Sequence, residues 1–163
     1  MTEQPYHLVK KIGGARYEID TDRARLDFRV LHAFLVNSHW AKGIPLAVLE
    51  RAVQGSMPFG LYRGGRQIGF ARVVTDHATF AYLADVFVLP EHRGRGLARW
   101  LVGSILAHPG LQGLRRWLLG TTYSHGLYRK LGFAEPAGPF SFMERLDREV
   151  YTGPGLAAEA ASG

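Results

Sequence analysis

Six residues between two apolar runs carry the first chemical signal in this chain. Glu91-His92-Arg93-Gly94-Arg95-Gly96 follows the run Tyr82–Leu89 and precedes Leu97. Strict alternation puts Tyr82, Ala84, Val86 and Val88 on one face of a strand and Leu83, Asp85 and Phe87 on the other. Pro90, which has no N–H to donate, ends that strand. Leu97, Trp100 or Leu101, Ser104 and Ile105 then recur at helical spacing. A strand, a basic glycine-rich loop and a helix start, in that order, make an anion site. The first helical turn has unpaired N–H groups and the positive end of the helix dipole. Gly94 and Gly96 allow close backbone approach, and Arg93, Arg95 and Arg99 add charge. A Walker A loop would need Gly-Lys-Ser/Thr, which is absent, and a Rossmann fingerprint would need a small residue where Arg99 stands.

Three other side chains have chemistry to offer. Asp85 is the only carboxylate in an otherwise apolar strand, and a buried carboxylate needs a task or a partner. It is a candidate general base, directly or through water. Equally it is a structural Asp bonded to backbone or to Arg72 on the neighbouring strand. His125 is a further candidate base or ligand contact, and Tyr128 shares an apolar stripe with Leu127 and Leu131. His92, His108 and His125 are too scattered for a metal, and no His-x-x-x-His pair exists, so no metal is expected. With no cysteine in the chain, disulfides, thiolate metal sites and a cysteine nucleophile are excluded. Any acyl transfer must therefore pass directly to the acceptor or use another nucleophile.

The elements that position these groups fit one domain over 16–150, within 163 residues of which 47% are hydrophobic. Residues 1–15 read as loosely ordered, and the Gly/Ala-rich tail from 151 to 163 as flexible. Arg16–Asp20 is a first strand. Asp27–His39 reads as a helix, and a loop containing His39, Trp40 and Lys42 leads to a second helix opened by Pro45 and closed by Gly55. Met57–Tyr62, Gln67–Thr75 and Thr79–Leu89 form a meander, turning at Gly64-Gly65 and Asp76-His77. After the central helix come a strand at Trp117–Thr121, a helix at Ser124–Leu131 capped by Ser124 and closed by Gly132, and closing strands near Phe133 and at 140–145. The formal charge of +6 would suit nucleic acid, but the basic residues are dispersed and no nucleic-acid motif accompanies them. No nucleic acid or membrane partner is expected. No apolar run approaches spanning length and the N-terminus lacks a signal core, which predicts a cytoplasmic protein.

Two motifs point the same way. Arg93-x-x-Gly96-x-Ala98 after a Val-x-Leu-Pro strand end resembles the acyl-coenzyme A pyrophosphate loop of the GNAT N-acetyltransferase superfamily. His125-Gly126-Leu127-Tyr128-Arg129-Lys130-Leu131-Gly132-Phe133 resembles the LYxKxGF signature of the same superfamily, and with the meander the likeness spans roughly residues 16–146. It implies the GNAT fold: a mixed α/β (α+β) architecture with a twisted, mostly antiparallel sheet of six to seven strands, about four flanking helices and a splay at the cofactor cleft. It further implies acetyl-CoA as cosubstrate, held by Arg93, Gly94, Arg95, Gly96, Leu97 and Ala98. The pantetheine arm would bond the backbone of Phe87 and Val88. The resemblance makes Tyr128 the general acid toward the departing thiolate and brings His125 near the cofactor. Many members carry Asn seven residues before the signature tyrosine, where this chain has Thr121, which keeps a hydroxyl.

The function so implied is N-acetylation of a primary amine, that of a small molecule. A polycation would want more carboxylates than Asp85 alone. His39, Trp40, Phe80 and Tyr82 are candidate acceptor-lining residues. A peptide N-acetyltransferase and a non-catalytic CoA-binding sensor are the alternatives, and a homodimer is expected.

Overall fold

The computed structural model describes residues 4–152. Six strands lie side by side in chain order: β1 (His7–Ile12), β2 (Ala15–Asp20), β3 (Met57–Arg63), β4 (Arg66–Thr75), β5 (Phe80–Val88) and β6 (Arg116–Leu118). Neighbours are antiparallel except β5 and β6, which are parallel. Four helices, α1 (Phe28–Leu35), α2 (Leu46–Gln54), α3 (Leu97–Leu106) and α4 (His125–Arg129), cover the sheet. One face packs Leu97, Leu101, Val102 and Ile105 of α3 and Tyr128 of α4 over Ile19, Phe59, Leu61, Val73 and Leu83. The other packs Leu31 and Leu35 of α1 and Leu49 and Val53 of α2 against Phe70 and Phe87. This is the mixed, mostly antiparallel sheet with four helices that the sequence implies.

Local chemistry explains the borders. The Asp27 carboxylate accepts from the Arg29 N–H and starts α1. The helix stops at Leu35 rather than at His39, because the Ser38 hydroxyl donates to the Leu35 carbonyl at 2.7 Å and accepts from the Ala41 N–H at 3.1 Å. That turn throws His39 and Trp40 off the helix into a loop. Gly64 and Gly65 both have positive φ, as a two-residue hairpin turn of this hand requires.

Four expectations are corrected. The stretch read as loosely ordered contains β1, which pairs with β2 along all six of its residues. Its two lysines obscure the alternation, yet an edge strand tolerates, and is protected by, such charges. The closing strands near Phe133 and at 140–145 do not form. Phe140 and Phe142 instead lie against the Arg116 guanidinium, at 4.6 and 5.4 Å from ring centroid to cation. β6 ends at Leu118, three residues before the expected end. Ser124 occupies the N-cap position of α4, but its side chain makes no cap bond. The tail beyond 152 lies outside the described residues.

The fourth strand and the fifth do not keep step. Phe70 faces Phe87, yet Arg72 faces Ala84, so β5 carries one extra residue between these pairs. Asp85 sits in that bulge with φ of 55°, a left-handed conformation rare outside glycine. The bulge inverts the alternation. Leu83 and Val88 join the α3 core and Phe87 joins the α1–α2 core, whereas strict alternation puts Leu83 and Phe87 on one face. Phe87 stacks on Phe34 at 4.1 Å, and burying such a ring stabilises by about 1.5–3 kcal/mol, enough to fix the register.

Candidate active site

β5 and β6 pair only from Phe80 to Tyr82 and from Arg116 to Leu118, although β5 runs on to Val88. From Leu83 onward the β6-facing edge of β5 has no strand beside it. The sheet opens there into a groove of about 790 Å³, with Val86, Phe87 and Val88 on one wall, Leu127 and Tyr128 on the other, and Arg93 and Ala98 in its lining. An exposed strand edge of this kind presents backbone donors and acceptors to an extended amide chain. A second cavity of about 510 Å³ adjoins it, with Arg72, Tyr82, Asp85, Thr121 and Tyr151 in its walls. His39, Trp40, Val86, Tyr123, Ser124 and Tyr128 line both.

The basic loop closes one end of the groove. Pro90–His92 makes one 3-10 turn, and Arg93 reaches back so that its Nε donates to the Val88 carbonyl at 2.9 Å. Arg95 donates to the Glu91 carbonyl at 2.9 Å, which shapes the loop from the other side. Gly94 and Gly96 have φ of 77° and 74°, and a Cβ on either would meet no protein atom within 4 Å. Glycine is required there by backbone conformation, and the space beside it is open to a ligand. α3 begins with no side-chain cap and no acidic residue in its first turn, so its leading N–H groups remain available to an anion. Leu97 is buried in the core and offers the site only its backbone, while Ala98 lines the groove.

Asp85 is pinned on both oxygens. Its Oδ2 accepts from Arg72 Nε at 2.5 Å and its Oδ1 from Trp40 Nε1 at 3.0 Å. The side chains of Asp85 and Arg72 are 8% and 19% exposed. Of the two roles left open for this residue, the geometry realises the partnership with Arg72. Tyr128 is buried and lines both cavities; its phenol bonds to no described residue, and burial raises its pKa above the ordinary tyrosine value.

Other expected residues fall less well. Thr121 lines the second cavity, not the groove, and its Oγ1 accepts from the Ser124 N–H at 3.0 Å. His125 is exposed on the far side of α4, facing Arg116 and the 133–142 segment, and lines neither the groove nor the adjoining cavity. Phe80 also lines neither, because it lies at the end of β5 where β6 is still paired. Trp40 and Tyr82 line the second cavity, and His39 stands where the two cavities adjoin. The His39 ring packs edge-on to Trp40 and Tyr123, with Nε2 3.4 Å from Thr122 Oγ1. Sequence reasoning undervalued Arg72 as a site residue. Its signal was a lone charge inside the apolar run of β4, on the strand beside the lone carboxylate of β5. Tyr151, from beyond the domain border set at 150, carried none.

Among the described residues no group of three or more metal-ligating side chains comes together, and no helix is long and apolar enough to cross a membrane.

Comparison with known proteins agrees with this geometry. The model of the acetyltransferase (GNAT) family matches residues 17–133. A solved structure from Xanthomonas campestris pv. campestris, assigned to the GNAT family, is 50% identical, with a TM-score of 0.80 over 84% of this chain and 97% of that one. A curated Gibberella zeae protein whose name places it among acetyltransferases is 35% identical over 106 residues, 53% of this chain and 60% of that protein. A Clostridium acetobutylicum protein solved with acetyl-CoA shares the fold, at 13% identity and a TM-score of 0.55 over 78% of this chain and 94% of that one. A match across the meander and both motifs that follow it, and a half-identical relative covered almost end to end, establish that the chain belongs to the GNAT acetyltransferase family.

Proposed function

We propose that this chain transfers an acetyl group from acetyl-CoA to a primary amine of a small molecule. The observation that carries the reading is the continuous path from the Arg93–Ala98 loop, along the unpaired edge of β5, to Tyr128 and the second cavity. The loop fits a pyrophosphate: free N–H groups, two left-handed glycines and open space where side chains would stand. The edge at Val86–Val88 fits an amide-bearing arm. Acetyl-CoA, when bound, supplies the acetyl group as an activated thioester.

The residues then divide the proton transfers between them. Tyr128, whose phenol burial keeps protonated, gives its proton to the departing sulfur. Asp85 is a poor base because Arg72 and Trp40 occupy both oxygens. It acts as a positioning residue that holds Arg72 and the Trp40 loop. His39, at the junction of the two cavities, takes the amine proton, directly or through water. The chain offers no cysteine nucleophile, and in this reading the acetyl group passes directly from donor to acceptor.

The test is calorimetric titration of acetyl-CoA into wild type and into Arg93→Glu/Gly96→Glu, followed by a thiol-release assay over a panel of amines. Micromolar-range binding that the double variant loses, with turnover on small amines, supports the reading. Absence of wild-type binding overturns it, and turnover on peptides alone moves the function to protein acetylation.

A further inference from the structure

The acceptor cavity contains a cation with unused donors. Arg72 projects from the middle of β4 and gives its Nε to Asp85, and neither terminal nitrogen of its guanidinium bonds to any described residue. A guanidinium has five N–H donors in a fixed fork, and leaving several unmet in a half-enclosed site is costly. Asp85 cannot swing round to meet them, because Trp40 holds its other oxygen and the bulge fixes its backbone. The Asp85 charge cancels one positive charge, so no surplus of negative charge is left to attract a polycation.

Resting on the acetyl-transfer reading above, we propose that Arg72 anchors the acceptor's own carboxylate, and that the acceptor is therefore an amino-acid-like zwitterion rather than a simple amine. Its carboxylate takes the free edge of Arg72 in a bidentate pair. Its amino group lies toward Tyr128 in the same cavity. Its side chain meets the aromatic wall of Trp40, Tyr82 and Tyr151, which favours an apolar or aromatic substituent over a cationic one. Arg72 is thus a specificity-determining residue, oriented by Asp85.

The experiment compares matched acceptors: phenylalanine, phenylalaninamide and phenethylamine, then leucine and isoamylamine, each by thiol release with acetyl-CoA. Wild type should prefer the free carboxylate at least about tenfold in kcat/KM, the discrimination expected when one charged pair is lost. Arg72→Gln should level the panel, with kcat/KM falling at least about tenfold further on the acids than on the amide and the decarboxylated amines, and Arg72→Lys should restore part of the preference. Arg72→Gln/Asp85→Asn, which leaves no unpaired charge, controls for folding. A second readout is independent of turnover: in the presence of CoA, N-acetylphenylalanine should bind wild type measurably and Arg72→Gln at least about tenfold more weakly. Equal or better turnover of the amide and the decarboxylated amine overturns the carboxylate anchor and leaves acetyl transfer standing. Failure of every acceptor together with failure of N-acetylphenylalanine to bind overturns it too. Acetyl-CoA titration then reports separately whether the cofactor reading survives.

Discussion

The bulge at Asp85 is the most exposed point of the mechanism, because one residue there sets a backbone conformation, an ion pair and the position of a loop. Three substitutions separate these. Asp85→Asn keeps a side chain that tolerates a left-handed backbone and can still accept from Trp40 Nε1, but it removes the charge facing Arg72. Breaking a fully buried pair costs about 3–5 kcal/mol; with the Arg72 side chain 19% exposed toward a cavity, about 2 kcal/mol is the appropriate scale. For a domain of this size that is a fall in Tm of about 4–8 °C. Asp85→Gly and Asp85→Ala both delete the side chain and differ only in backbone cost. At φ of 55° alanine should be the less stable of the two by about 1–2 kcal/mol. Thermal and urea unfolding followed by circular dichroism measure both differences. Equal stabilities for the Gly and Ala variants would refute the left-handed bulge, and a wild-type Tm for Asp85→Asn would refute the ion pair. Kinetics complete the test. A positioning role raises the acceptor KM in Asp85→Asn and leaves kcat within about tenfold, whereas loss of a general base costs about 10²–10⁴ in kcat and removes the acidic limb of the pH profile. The second pattern would return the base to Asp85.

Three further outcomes follow from the same geometry. Tyr128→Phe should lower kcat by about 10²–10⁴ with acetyl-CoA affinity unchanged by calorimetry. Burial holds this phenol protonated above the ordinary tyrosine range, so the alkaline loss of wild-type activity attributable to it should lie at correspondingly high pH and vanish in the variant. His39→Gln should reduce kcat by about 10²-fold near neutrality, with the deficit shrinking as pH rises and more amine is already free; a constant deficit at every pH would refute its role as base. At the β4–β5 turn, the Thr79 hydroxyl and the N–H groups of Thr79, Ala78 and Phe80 depress the Asp76 pKa. A depressed folded pKa means stability present above the ordinary carboxylate value and lost as pH falls through the folded one. Asp76→Asn should therefore flatten the fall in Tm on acidification below about pH 4, and parallel profiles for variant and wild type would refute the turn's contribution.

Much of the frame was legible in the chain because it is local. Gly94 and Gly96 take positive φ, Asp27 caps α1, Gly64-Gly65 turns a hairpin and Gly132 follows α4 with φ of 90°, and each effect is decided within a few residues. The buried face of α3 could be read from its spacing, since a helix presents side chains every three to four residues whatever it packs against. β1 was missed because its lysines face solvent on an edge strand, where nothing requires alternation. The closing strands were over-read because alternating phenylalanines look alike whether they pair in a ladder or lie over Arg116.

The amino-acid sequence by itself determined the glycine-rich basic loop, the helix that follows it, the meander and the family. These rest on backbone conformations and periodicities that neighbouring residues enforce. Tertiary structure alone decided which residues share a cavity. It put Asp85 in a bulge and so moved Leu83 and Phe87 to opposite faces, drew Arg72 and Trp40 onto one carboxylate, set His39 between two cavities and turned His125 away. Each of these depends on a one-residue slip between two strands and on where β6 leaves β5. Such long-range pairings are fixed by the competition of whole side chains for two cores, which no short window of sequence contains.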